Sequence, residues 1–258
     1  MRALTICLCL VSSFCFAGEE FEIIAEGFSP DGKYFAYTEV GGDWHEQAIF
    51  SILDTQTKQK VYGPLIFDLC EIRGDDYDNA VCDQYDDDLR DSELGWDTRK
   101  ELINQYVRSK VLLQAKPQIE KYNTTSPPIT LNTSEGGTTL SFRDTLDIES
   151  NGHQRTVTLK EEHLPIGSKD DEYLSKFNLY LQRYIKRDPT GEPLLLFSYE
   201  EKGVWEYSYS IEGVIANQYD GSSDFEKSYI FIVNRYSPGF EGQNVEQILF
   251  SLRGWLPN

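Results

Sequence analysis

Residues 27–39 read GFSPDGKYFAYTE. Ser29-Pro30-Asp31-Gly32 is turn chemistry: proline supplies φ of about −65° and glycine accepts a positive φ without steric cost. In the extended chain that follows, Tyr34, Ala36 and Thr38 point to one side and Phe35, Tyr37 and Glu39 to the other. A turn followed by alternating aromatic residues is how a β-propeller blade often begins. A second strand, Ala48–Leu53, ends at the polar cluster Asp54-Thr55-Gln56-Thr57, and the pattern from Ile23 to Val61 is strand, hairpin, strand, hairpin. A propeller repeats its unit about every 40 to 50 residues. No second Ser-Pro-Asp-Gly occurs, so the reading is a blade-like hairpin unit without a ring.

Between Asp97 and Ala115 the period changes. Leu102, Ile103, Tyr106, Val107, Val111 and Leu112 fall near helical spacing and predict one mid-chain helix. Lys116–Pro128, with Pro117, Pro127 and Pro128, is the best linker candidate and a possible sub-boundary within residues 18–258. Strand signals return at Ile129, punctuated by Gly136-Gly137, Asn151-Gly152, Gly191, Asp220-Gly221 and Pro238-Gly239. Phe177, Leu179, Leu181 and Ile185 are placed on one strand face, and Trp205, Tyr207, Tyr209 and Ile211 on another. Further strands are expected over Tyr229–Asn234 and Gln247–Leu252. The predicted fold class is mainly β, a single domain forming an antiparallel sandwich or partly closed barrel.

The first residues, MRALTICLCLVSSFCFA, have a positive start, an apolar run from Leu4 to Val11 and small residues near Ala17. That pattern predicts a secretory signal peptide over residues 1–17 and a secreted or periplasmic address. The apolar run is shorter than the ~20 residues that span a bilayer, and no later stretch is longer, so the mature chain is not expected to span a membrane. Removing the signal takes Cys7, Cys9 and Cys15 and leaves Cys70 and Cys82. In an oxidising compartment two cysteines predict one disulfide closing a short loop; two buried free thiols are the alternative.

The chain carries 24 Lys and Arg against 43 Asp and Glu, a net charge of −19. Such a surface repels phosphate backbones and anionic lipid, which argues against nucleic acid and passive membrane binding. Cations, basic proteins and neutral glycans remain as partners. From Asp68 to Asp97 the chain holds twelve acidic residues and two basic ones. Clustered carboxylates suit Ca²⁺, and Asp83, Asp86, Asp87 and Asp88 are the candidate ligands of a weak site. The spacing is not that of an EF-hand, and the competing reading is a solvated acidic loop. No other cofactor is indicated.

Two further surfaces are candidates. Around GVWEYSYSIEG, Trp205 and Tyr207 could stack on sugar rings, although the same alternation is what a half-buried strand requires. In Pro238-Gly239-Phe240-Glu241-Gly242, Glu241 could sit at a functional rim, or the segment could simply connect the last two strands. No catalytic residue is assigned: His45, His153 and His163 are scattered, with no His-Glu-x-x-His pair and no Gly-x-Ser-x-Gly elbow.

The signal segment, Phe28-Ser29-Pro30-Asp31-Gly32-Lys33-Tyr34-Phe35-Ala36-Tyr37 with Glu39 behind it, the helix ending at Leu112-Leu113, and Ser237-Pro238-Gly239-Phe240-Glu241-Gly242 together resemble a bacterial family of predicted secreted proteins, domain of unknown function 2259. The chain departs from that pattern at Gln243-Asn244-Val245-Glu246, where a proline, an acidic residue and basic residues are expected. The resemblance implies export, to a periplasm, and supplies no activity. The expected function is therefore a non-catalytic binding or envelope-associated module whose partner is an envelope protein or a glycan. The alternative is a secreted hydrolase acting on glycans through Asp/Glu acid-base pairs.

Overall fold

A computed structural model describes residues 21–42, 47–71, 81–82, 94–143, 154–165, 173–185, 188–203, 207–218, 227–238 and 243–254. The opening turn is built from its own side chains. Gly32 takes φ 68° and its amide donates to the Ser29 carbonyl at 2.8 Å. The Ser29 hydroxyl accepts from the Tyr34 amide at 2.8 Å and donates to Asp31 Oδ1, which also accepts from the Lys33 amide. The turn joins β1 (Phe21–Phe28) to β2 (Tyr34–Gly41), and β3 (Gln47–Asp54) and β4 (Gln59–Asp68) complete a four-stranded antiparallel meander in the order β1-β2-β3-β4.

The expected alternation decides how this first sheet packs. Ala36, Val40, Ala48, Phe50 and Ile52 face the helix α1 (Trp96–Tyr122), meeting its buried stripe of Ile103, Val107, Val111 and Ala115. Phe35, Tyr37 and Leu53 face the opposite way, into a second core with Ile215, Ile230 and Ile232. The helix runs seven residues beyond the expected end at Ala115, through Pro117, so the first half of the proposed linker is helical. Proline removes the bond to the carbonyl four residues back, that of Leu113. Leu113 is 71% exposed, on a helix face open to water that can satisfy such a carbonyl. The helix stops at Asn123, which adopts the left-handed conformation at φ 53° and donates its amide to the Glu120 carbonyl.

Two more four-stranded antiparallel sheets follow. β8 (Thr139–Arg143), β9 (Gln154–Pro165), β10 (Tyr173–Ile185) and β11 (Asp188–Gly203) form one meander; β7 (Ile129–Gly137), β12 (Ser208–Ala216), β13 (Ser228–Pro238) and β14 (Gln243–Arg253) form the other, in the order β14-β13-β12-β7. The β7–β12–β13–β14 sheet is the middle layer. Ile230 and Ile232 pack towards the first sheet, whereas Tyr229, Phe231 and Val233 pack against Phe177, Leu179, Leu181 and Phe197 of the other. With both faces covered, β13 is buried from Ser228 to Asn234 and reads as an almost continuous apolar run. The layers are thus helix, sheet, sheet, sheet, and the sheets do not close into a barrel. The opening turn is tied to the middle layer: the Gly32 carbonyl accepts from Thr55 Oγ1 at 2.8 Å and from Ser228 Oγ at 2.6 Å.

The two mid-chain cysteines lie on a separate ribbon, β5 (Cys70–Glu71) with β6 (Val81–Cys82), in which Cys70 and Cys82 are directly opposite.

Candidate functional site

Where β1 and β14, the terminal strands of their sheets among the described residues, come together there is a cleft of about 320 Å³, at the lower end of the range for small-molecule sites. Phe21, Ile23, Ile49 and Val245 supply apolar wall; Glu39, Arg235, Ser237, Asn244, Glu246 and Gln247 supply polar groups. Gln247 closes one end. Its Oε1 accepts from the Ile23 amide at 2.6 Å and its Nε2 donates to Asn234 at 3.0 Å, stitching the first sheet to the middle one.

Arg235 is the hub of the charged side. Its guanidinium donates to both carboxylate oxygens of Glu201 on β11 and to Glu246, its direct cross-strand partner on β14. Tyr207 lies against the same group, with the guanidinium carbon 4.9 Å from its ring centroid. Burial works against the charge of Arg235, but Glu201 and Glu246 outweigh it and hold the group more firmly protonated than usual. Burial also pushes the Tyr209 phenol well up, with the Glu201 charge adding to it. On the facing wall, burial raises the Glu39 carboxyl above its ordinary range; Lys60 opposes this and the Glu246 charge adds to it. Glu39 and Glu246 therefore repel one another across the cleft.

The sequence candidates distribute unevenly around this geometry. Tyr207 stands on the Arg235 cluster, with its amide bonded to Ser175 Oγ at 3.1 Å. Glu241 belongs to the connection between β13 and β14, whose strand ends Ser237 and Asn244 line the cleft; Glu241 itself, like Trp205 and the calcium candidates Asp83, Asp86, Asp87 and Asp88, lies outside the described residues. Among the described residues no group of three or more His, Cys, Asp or Glu is placed to hold a metal, and no helix is long and apolar enough to cross a membrane.

Glu201 and Arg235 belong to no motif, and Glu39 and Glu246, which stand in or beside the end motifs, carried no assigned role. The available signal was Arg235 itself, a cation ending the apolar run SYIFIVN, where a partner is required.

A serine, histidine and carboxylate also meet. His163 Nδ1 is 3.3 Å from Ser175 Oγ and its Nε2 is 3.4 Å from Glu161. Ser175 is fully buried and its hydroxyl already accepts the Tyr207 amide, so it cannot reach a substrate and the trio serves as a strut beneath Tyr207 and Tyr209. No family model matches the chain, and neither a curated protein nor a solved structure matches it.

Proposed function

We propose that the protein is an exported, non-catalytic binding module of the cell envelope, holding an envelope protein or a glycan in the cleft between β1 and β14. The observation that carries this is the composition of that cleft: apolar walls from Phe21 and Ile49 beside polar groups at Ser237 and Asn244, the mixture that fixes and orients a ligand. Export rests on the signal-like first 17 residues and on the resemblance of the two end motifs to those of a predicted secreted family. The opposed positions of Cys70 and Cys82 support a disulfide in an oxidising compartment.

The test is the melting temperature of the protein against defined neutral oligosaccharides, basic and acidic peptides, and divalent ions. A ligand at 100 times its Kd adds about 2.7 kcal/mol to the folded state. A shift with one class, abolished by filling the cleft with Ser237→Trp, supports the reading; a shift that survives Ser237→Trp contradicts it.

A second reading, glycan hydrolysis, is favoured by one observation. Glu39 has a carboxyl held protonated more readily than usual, while Glu246 is paired with Arg235 and both line the cleft, the acid and base environments such chemistry separates. Turnover of an oligosaccharide lost in Glu39→Gln would establish it.

A further inference from the structure

The cleft is lined by four consecutive residues of β14, Asn244 to Gln247. Successive side chains of a strand point to opposite faces, so a strand approached on one face offers alternate residues only. Four in a row place the cleft at the edge of β14, where residues of both faces are reached, with Arg235 and Ser237 of β13 on one side. Among the described residues β14 has a ladder partner on one side, β13, and is the terminal strand of its sheet. Its outward N–H and C=O groups are the unpaired row that an added strand takes up. The neighbouring edge, β1, does not supply that strand: at Ile23 it reaches β14 through the Gln247 side chain rather than through a backbone ladder.

We infer that the cleft receives an extended peptide segment that adds to the open edge of β14, with a lysine or arginine side chain placed between Glu39 and Glu246. This rests on the reading of the cleft as the binding site and names the ligand class. Charge complementarity selects the cation. Glu39 and Glu246 face the same space, the two nearby cations are already engaged, Arg235 with Glu201 and Glu246 and Lys60 with Tyr37 and Glu39, and the chain carries −19 overall, which steers basic partners towards it. The apolar residues Phe21, Ile23 and Val245 suit the aliphatic stem of such a side chain and the alternate residues of an extended ligand.

The experiment is calorimetric titration of the full chain with a short synthetic peptide of alternating lysine and valine. Two controls accompany it: the same peptide with alternate amides N-methylated, and a version with glutamate in place of lysine. The expected result is saturable binding to the lysine peptide that weakens with salt, falls about tenfold for each edge hydrogen bond blocked by N-methylation, and is absent for the glutamate peptide. Glu246→Lys is expected to abolish binding, and the N-methylated ligand keeps the test valid if that variant folds poorly. Equal binding of the N-methylated peptide, equal binding of the glutamate peptide, or no binding of the lysine peptide overturns the inference. If an oligosaccharide shifts the melting temperature and Ser237→Trp removes that shift, the peptide inference fails and the cleft remains the site. If no ligand responds to Ser237→Trp, both fail.

Discussion

The guanidinium of Arg235 lies 4.9 Å from the ring centroid of Tyr207 while bonding Glu201 and Glu246. One cation thereby ties β11, the entry to β12, and the β13–β14 hairpin together beside the cleft. Its side chain is 18% exposed and that of Glu201 25%, so removing it leaves the partly desolvated Glu201 carboxylate without its counter-charge. Arg235→Ala is expected to cost about 2 kcal/mol in urea denaturation, and Tyr207→Ala about 0.5 to 1 kcal/mol from the lost cation–π contact. In the double variant Arg235→Ala with Glu201→Ala, the two losses are expected to fall short of additivity.

Glu39 gives a pH signature. Its folded-state carboxyl holds the proton more tightly than the unfolded chain does, through burial first and the Glu246 charge in addition. The cost is therefore absent below the unfolded carboxyl value of about 4.3 and grows as pH rises through that value towards the folded one. Glu39→Gln removes the cost. Its melting temperature is expected to exceed that of the wild type near pH 7, with the difference closing at about pH 3.

Helix α1 is clamped by charge as well as by its apolar stripe. Arg108 donates to both oxygens of Glu26 at 2.8 Å, and Thr38 donates to the same carboxylate at 2.7 Å. Glu26 is 9% exposed, so Arg108→Ala strands a nearly buried carboxylate. A loss of about 2 to 3 kcal/mol is expected. Hydrogen exchange should accelerate across residues 96–122 before it does in the middle sheet.

Gly27 has no room for a methyl group. A Cβ there would lie 2.4 Å from the Thr124 carbonyl oxygen, beside the bridge in which Phe28 and Ser126 exchange backbone bonds at 2.8 and 3.0 Å. Gly27→Ala is expected to lower stability by about 1 to 3 kcal/mol by forcing that bridge apart, measured as a shift in the denaturation midpoint without a change in its slope.

Local signals carried much of the fold. Ser29-Pro30-Asp31-Gly32 specifies its turn through its own hydroxyl, carboxylate and positive φ, and the alternation after it places Ala36 and Phe35 in different cores as expected. The helix was legible from Ile103, Val107 and Val111 but not its end, because Pro117 is read locally as a breaker while the exposed turn before it tolerates the lost bond. Stacking order was not legible: nothing local in SYIFIV says that Ile230 meets the first sheet and Phe231 the other. The cleft was hidden for the same reason. Glu39 and Glu246 are more than two hundred positions apart in sequence, and only the packing of β1 alongside β14 brings them together. Tyr207 was legible as an aromatic candidate, but its contact with Arg235, a residue 28 positions away, was not.

The most direct test places a photo-activated crosslinker at Asn244, in the cleft, and separately at Leu113, on the open face of α1, in protein expressed in its own cells. A discrete crosslinked product is expected from position 244 that disappears with Ser237→Trp, and none from position 113. Products from position 113 alone, or the same products from both positions, would contradict the assignment of the cleft as the binding site.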